Sequence, residues 1–452
     1  MTDPLLLGFA GMATLIGLIV LRMPIAYAMI LVGGIGVTLL SGVDIFMSQL
    51  KTLAYGQFSI YDLSVLPMFV LMGALATRAG LSHDLFRAAK AWFGRFRGGS
   101  AMAAVAACAG FGAVCGSSLA TASTMGKVAL PELRKQNYSG ALATGTLAAG
   151  GVLGILIPPS VVLIIYSIIV EANIVTMFKA ALVPGILAVV LFIVTISIYS
   201  RIFPNAAPRA DRVSAKEWVS ATKGVLPVVL IFGLVIGGMY LGWFNPTPAA
   251  AVGVVLVWAY GALRKKLGAS QMREALEETA KTTGMIYLIL LGAEMLKIFM
   301  SRAGVPQAVA EWMATSGLPP LVVLSILLLS LIVLGCLMDS LSMILLAIPF
   351  FWPVLLELNG GAYQAAFGSG FGMSSDDLKI WFGLLALIVV ELGLITPPVG
   401  LNVFVISSIA DDIPMRETFK GVLPFFFVEL VRVSLLVAFP MLVLWLPTVM
   451  SG

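Results

Sequence analysis

The sequence is poor in charged residues. Only 11% of its 452 residues are Asp, Glu, Lys or Arg, whereas soluble globular domains contain about 25%. Hydrophobic residues make up 60% of the chain, and the mean hydropathy is +1.05. Apolar runs close to the ~20 residues that cross a bilayer as a helix recur along the chain. These features exclude a soluble protein and predict an all-α polytopic membrane protein.

Histidine and cysteine are also scarce. The single histidine, His83, lies on a basic amphipathic stretch, and the three cysteines lie in apolar segments without a C-x-x-C spacing. A zinc site or a disulfide framework is therefore not expected. An intramembrane protease would need a Ser–His or paired-Asp arrangement within the membrane, but Asp411 and Asp412 are adjacent in an expected loop. The net charge of +5 matters less than the positions of the basic residues, which indicate membrane orientation and not nucleic-acid binding because cytoplasmic loops collect Lys and Arg.

Full spans are predicted wherever an apolar run is uninterrupted. The first run has neither preceding basic residues nor a cleavage signature, so we expect it to be retained. The spans are expected near 4–21, 24–41, 64–79, 140–170, 180–202, 225–243, 248–263, 284–301, 379–410 and 421–448.

Two further apolar segments, 101–135 and 320–357, contain Gly, Ser and Pro near their centres. If both are re-entrant helical hairpins, most Lys and Arg fall on one side, as cytoplasmic loops require. The basic inside segments then include 201–223. Two amphipathic helices, 81–97 and 269–282, are expected to lie at that surface.

The two halves of the chain contain similar short motifs in the same order. TRAGL at 77–81 is echoed by SRAGV at 301–305, and GAVC at 112–115 by GCLM at 335–338. GILIPP at 154–159 returns as GLITPP at 393–398. Residues 1–223 and 224–452 are therefore predicted to form an inverted-topology repeat, each half with a hairpin and a broken helix (140–170 and 379–410).

Polar residues of both hairpins and both broken helices are expected to converge near the membrane midplane. Unwound carbonyls and hydroxyls are hard oxygen ligands for a small cation, and N–H groups at helix N-termini favour an anion. The candidate side chains are Ser117, Ser118, Thr121, Ser160, Asp339, Ser340, Thr396 and Asn402.

Charged residues within apolar segments are functional candidates by default. For Asp339 we expect a role in cation coupling; a proton-carrying role and a structural hydrogen bond remain open. Glu294 with Lys297 and Glu429 with Arg432 have the spacing of local ion pairs. Glu391 precedes the second broken helix and is compatible with either kind of role.

These motifs together resemble the large membrane subunit of TRAP (tripartite ATP-independent periplasmic, DctM-like) transporters. The resemblance covers essentially the whole chain and is carried by GSSLAT, GILIPPS, the Asp339-Ser340 turn and GLITPPVGLN. It implies sodium-driven import of a carboxylate (a four-carbon dicarboxylate, keto acid or sugar acid) across the bacterial inner membrane. It also implies an elevator-type fold, in which a scaffold supports a hairpin-bearing transport domain.

The same resemblance assigns partners and site residues. The implied partners are a periplasmic binding protein and a small four-helix membrane subunit, expected as a separate chain because no four-span extension precedes Pro4. One sodium site is implied at Ser117, Ser118 and 154–160, which includes Gly154 and Pro158. A second is implied at Asp339, Ser340 and 393–398, which includes Gly393, Thr396 and Pro398. Thr121, Ser160 and Asn402 are implied to lie near the substrate carboxylate. No cofactor beyond sodium is expected.

One alternative keeps the fold but changes the assembly. The chain could be a self-sufficient sodium- or proton-coupled carrier of dicarboxylates or citrate. Which carboxylate is carried stays open at this point, because hydroxyls and N–H groups bind any anion of suitable size.

Overall fold

The computed structural model describes residues 3–208, 214–315, 317–360 and 370–451. Within these ranges the chain is helical and has no β-strand, which confirms the all-α prediction. Arg209 and Arg212 of the predicted basic segment lie outside the described residues.

The first half contains ten α-helices, with a short 3-10 helix (Tyr61–Ser64) before the fourth. They are α1 (Pro4–Val20), α2 (Ile25–Ser41), α3 (Val43–Phe58), α4 (Val65–Ala79), α5 (Leu81–Phe93), α6 (Gly99–Cys115), α7 (Ser118–Lys135), α8 (Gly140–Leu156), α9 (Val161–Ile169) and α10 (Ile174–Ile202). The second half contains α11 (Ala215–Tyr240), α12 (Pro246–Leu263), α13 (Ala269–Ala303), α14 (Val305–Thr315), α15 (Pro320–Gly335), α16 (Ser340–Leu358), α17 (Ser375–Gly393), α18 (Leu401–Ile409), α19 (Met415–Ala438) and α20 (Met441–Ser451).

Helices α6, α8 and α17 form the centre of the protein. Nearly every residue of α8 and of α17 is buried, although both are rich in apolar or small side chains on all faces. Such helices are stable only when other helices surround them. Helices α6, α7 and α19 pack on α8, and α15 packs on α17. A second group, in which α13 lies along α2 and α4 along α12, covers one side of this centre.

Seven described helices are long and apolar enough to cross a membrane, and the bent pair α8 and α9 raises the number to eight. Each predicted hairpin segment folds as two helices packed on each other, α6 with α7 and α15 with α16. We refer to these pairs as the first and second hairpins. Helix α16 is by itself long and apolar enough to cross the membrane. The re-entrant course of the second hairpin therefore stays a prediction.

Both predicted broken helices are interrupted at their prolines. The first break covers residues 157–160, and α8 and α9 meet there at 46°. The second break covers residues 394–400, between α17 and α18. Proline lacks the N–H that an α-helix needs and its ring clashes with the preceding turn. In both breaks the bond between the two prolines is cis.

Four segments differ from the sequence-based expectation. The predicted surface helix 269–282 and the span 284–301 are one helix, α13, because the Thr-Thr-Gly sequence between them contains no residue that must end a helix. The predicted span 421–448 is divided into α19 and α20 at Pro440, whose missing N–H interrupts the ladder. Helices α3 and α14 were not predicted, because their mixed composition lacks a long apolar run.

Predicted local pairs within the helices are confirmed. Arg432 donates to Glu429, and both side chains are fully buried. Lys297 lies 3.5 Å from Glu294 at the expected spacing. The amphipathic helix predicted at 81–97 is α5, which ends earlier, at Phe93, and buries its apolar side against α6.

Candidate functional site

Both hairpin turns border one cavity of about 370 Å³. The first hairpin contributes residues 115–120 and the second residues 339–341, so the structure brings Ser117, Ser118, Asp339 and Ser340 together. The opposite wall belongs to α4 and α13. The cavity therefore separates the hairpins from the group of helices around α13.

Three helices begin at this cavity, namely α7, α9 and α16. Ser117, Ser160 and Asp339 each accept a hydrogen bond from the third N–H of the helix that follows, over 3.4, 3.3 and 3.1 Å. The first N–H groups of an α-helix have no partner within the helix. The first two residues of all three helices line the cavity, so these N–H groups and the helix dipoles favour an anion there.

The same cavity also contains groups that favour a cation. Asp339 is half-buried, and its second carboxylate oxygen accepts from the Ser342 hydroxyl over 2.6 Å. Helix α6 ends at the cavity, where Gly116 takes a left-handed conformation with φ +59°. The C-terminal carbonyls of a helix carry partial negative charge. Cation- and anion-binding groups thus share one space.

Glu391 links the two hairpins. One of its carboxylate oxygens accepts hydrogen bonds from the hydroxyls of Ser118, over 3.4 Å, and of Ser340. Its side chain is fully buried, and its other oxygen has no partner among the described residues. Sequence reasoning left the role of Glu391 open. The available signal was a carboxylate inside an uninterrupted apolar run.

Each hairpin contacts its broken helix through a pair of glycines. A Cβ added at Gly112 would lie 2.5 Å from Gly154 Cα, and one added at Gly393 would lie 2.6 Å from Gly335 Cα. These four glycines occupy equivalent positions in the two sequence echoes. The contact between hairpin and broken helix is therefore built in the same way in both halves.

The first residues of α7 and α16 show which residues of the two hairpins are equivalent. Ser117 is the N-cap of α7 and Asp339 is the N-cap of α16. The sequence offset between the GAVC and GCLM echoes pairs Asp339 with Gly116 instead. The two assignments differ because α16 begins five residues after Gly335, whereas α7 begins six residues after Gly112. The structure thus gives Asp339 a hydroxyl residue as its counterpart.

The remaining predicted residues of the first half lie close behind the cavity. Thr121 and Ser160 are fully buried, and Thr121 Oγ1 lies 3.0 Å from Cys115 Sγ. A Cβ added at Gly154 would lie 2.4 Å from Thr121 Oγ1. Pro158 is also buried. These residues are adjacent to the lining without forming part of its described surface.

Those of the second half are placed differently. Pro398 is exposed, and Thr396 is half-buried and donates to the Leu392 carbonyl over 2.6 Å. Asn402 is fully buried and donates to the Ala148 carbonyl over 3.4 Å, while its side-chain oxygen has no partner among the described residues. None of residues 394–400 is among the described lining residues of the cavity. The two broken helices are thus not equivalent in this conformation.

Polar residues of the opposite wall were missed at the sequence level. Thr77, Glu278 and Thr282 line the cavity from α4 and α13. Glu278 accepts from Arg78 over 2.8 Å, which ties these two helices together. Glu278 and Thr282 belong to the segment predicted as a surface helix, and Thr77 belongs to the predicted span 64–79, so neither pattern indicated a cavity.

Comparison with known proteins agrees with this arrangement. The profile of the family described as "Tripartite ATP-independent periplasmic transporter, DctM component" matches residues 12–442. The chain belongs to this family. The permease is 34% identical over 389 residues, 86% of each chain, to the C4-dicarboxylate TRAP transporter large permease protein DctM of Pseudomonas aeruginosa. It is 29% identical over 439 residues, 97% of each chain, to the sialic acid TRAP transporter large permease protein SiaM of Vibrio cholerae.

Solved structures support the fold of the permease. The YdaH transporter of Alcanivorax borkumensis superposes with a TM-score of 0.62 at 14% identity, covering 87% of this chain and 88% of that one. MtrF of Neisseria gonorrhoeae superposes with a TM-score of 0.58 at 14% identity, covering 90% and 85%. The permease is thus a multi-pass inner-membrane transporter component and not an enzyme.

Proposed function

We propose that the permease is the sodium-coupled large membrane subunit of a tripartite transporter that imports a carboxylate. The observation that carries this proposal is the cavity in which three helix N-termini and the Asp339 carboxylate meet. The N-termini suit the carboxylate of a substrate, and Asp339 with nearby carbonyls and hydroxyls suits sodium.

Charge gives the physical reason for coupling. Asp339 lines the cavity and takes part in none of the ion pairs among the described residues, whereas Glu278 is paired with Arg78. The Asp339 carboxylate therefore opposes part of the attraction that the helix N-termini exert on an anionic substrate. A sodium ion about 4 Å from a substrate carboxylate attracts it by about 4 kcal/mol at an effective dielectric constant of about 20. That energy corresponds to roughly a thousandfold in affinity. Each ligand therefore promotes binding of the other.

The names of the relatives support the proposed substrate class. The relatives are named for a C4-dicarboxylate and for sialic acid, and both compounds carry a carboxylate. The cavity volume of about 370 Å³ lies within the range of about 300–1,000 Å³ typical of small-molecule pockets. A four-carbon dicarboxylate, a keto acid or a sugar acid is the proposed cargo.

Partners and motion complete the proposal. The family implies a small four-helix membrane subunit and a periplasmic binding protein that delivers the substrate. The matching glycine contacts in the two halves support an inverted repeat. The cavity between the hairpins and the α4–α13 wall is the boundary across which an elevator-type transport domain would slide along a scaffold.

The test uses Asp339→Asn and Asp339→Ala in proteoliposomes that also contain the small subunit and the binding protein, with radiolabelled succinate and sialic acid as probes. Asn is as good an N-cap as Asp, whereas Ala is not. We expect both variants to lose sodium-stimulated uptake and Asp339→Asn to keep the wild-type melting profile. Full sodium dependence in Asp339→Asn would reject the coupling role. Uptake by the permease alone would reject the tripartite assembly.

A further inference from the structure

A second cavity lies between α5 and the first turns of α11. Its volume is about 920 Å³, and its described lining is formed by Ala91, Trp92, Arg95, Phe96, Ala215, Trp218 and Val219. We call this cavity the α5–α11 groove. It shares no lining residue with the candidate transport site.

The groove has an aromatic, partly exposed wall. Trp92 is 42% and Trp218 45% exposed, and Phe96 is exposed to a similar extent. Tryptophan is enriched where a membrane meets water, because its ring suits the headgroup level. The Trp92 indole N–H donates to Thr222 Oγ1 over 3.0 Å, and Arg87 reaches Ser220 over 3.4 Å. These bonds hold α5 and α11 at a fixed separation.

Among the described residues, the groove contains one cation, Arg95, that has no ion-pair partner. The Arg95 guanidinium lies 4.8 Å above the Phe96 ring. The first turn of α11 carries one exposed base and one exposed acid, Lys216 and Glu217. The balance of charge at the groove is therefore positive.

An apolar strip continues from the groove along α11. Val219, Leu226 and Leu230 are exposed and separated by seven and four residues, which places them on one face of the helix. The strip extends about 16 Å at a rise of about 1.5 Å per residue. Because α11 is apolar and long enough to cross the membrane, this exposed face is available to lipid.

From this arrangement we infer that the α5–α11 groove binds an anionic phospholipid of the inner membrane. The phosphate lies at Arg95, the aromatic rings enclose the glycerol region, and one acyl chain follows the α11 strip. Charge complementarity selects an anionic headgroup over a zwitterionic one, since each basic residue at a membrane surface attracts anionic lipid by about 1 kcal/mol. This inference depends on the membrane location of the permease and not on its substrate or coupling ion.

The experiment is native mass spectrometry of the full-length permease in detergent, titrated with phosphatidylglycerol, with phosphatidylcholine or with inorganic phosphate. The variants are Arg95→Gln, Trp218→Ala and the control Arg416→Gln, which removes an exposed arginine from another surface. All three side chains are exposed, so the fold should persist, and melting profiles check this.

Wild type and Arg416→Gln should retain phosphatidylglycerol equally. Arg95→Gln should weaken that binding about fivefold without changing phosphatidylcholine binding, and Trp218→Ala should weaken both. Unchanged phosphatidylglycerol binding in Arg95→Gln, or an equal loss in Arg416→Gln, would overturn the inference. So would displacement of the lipid by inorganic phosphate, since the site would then recognise a soluble anion.

Discussion

Adding one methyl group at Gly393 should displace the second hairpin. The new Cβ would lie 2.6 Å from Gly335 Cα, 2.7 Å from Gly335 C and 3.0 Å from the Ile332 carbonyl oxygen. All three are backbone atoms of α15 and cannot rotate away, so α15 must move off α17. Overpacking of this kind costs about 1–3 kcal/mol. Since Glu391 lies two residues before Gly393, the displacement also breaks its bond to Ser340.

The matched control is Gly233→Ala in α11, where no atom lies within 4 Å of the added Cβ. Alanine is favoured over glycine in a helix by about 1 kcal/mol, so this variant should melt at or slightly above the wild-type temperature. Gly393→Ala should melt lower and transport less. Gly112→Ala, whose Cβ would meet Gly154 Cα, should behave like Gly393→Ala. Wild-type melting and uptake in Gly393→Ala would refute the close-packing argument.

Two further predictions concern charged pairs. Arg432→Met leaves Glu429 as a buried carboxylate without its cation and should lower the free energy of unfolding by about 3–5 kcal/mol. The double variant that also carries Glu429→Met should regain much of this loss. A double variant no more stable than Arg432→Met would contradict the prediction. The hydrogen bond from Lys90 lowers the pKa of Glu132 below its ordinary value of 4.5, although burial opposes the shift. Because the folded-state pKa is lowered, the pair stabilises the protein above the unfolded pKa and this contribution is lost as pH falls through the folded value. Glu132→Gln should therefore make the free energy of unfolding less sensitive to pH as pH falls below about 5, by less than about 1 kcal/mol because the pair is partly exposed. An unchanged pH profile would contradict this.

Features set by local sequence could be predicted. The prolines at 158 and 159 interrupt a helix whatever surrounds it, so the breaks were recognisable. Ser117 and Asp339 are of residue types common at N-caps, so the hairpin turns were recognisable as well. The similarity between GILIPP and GLITPP suggested the equivalence that the Gly112–Gly154 and Gly335–Gly393 contacts now display.

Features that depend on distant contacts could not be predicted. Glu391 meets Ser118 across 273 positions of sequence, and no local pattern indicates such a contact. The exposure of Pro398, in contrast to the burial of Pro158, depends on how the helices pack, since both residues belong to nearly identical motifs. Likewise, the sequence of α13 contains a surface-like part and an apolar part, and only tertiary packing shows that both belong to one helix.

Sodium coupling is tested most directly by accumulation of labelled succinate or sialic acid in proteoliposomes that contain the permease, its small subunit and the binding protein. An inward sodium gradient is imposed at equal pH on both sides, with a protonophore present. We expect accumulation above the external concentration with sodium and none with an equal potassium gradient. In a separate arm without protonophore, accumulation driven by a pH gradient in the absence of sodium would contradict the account.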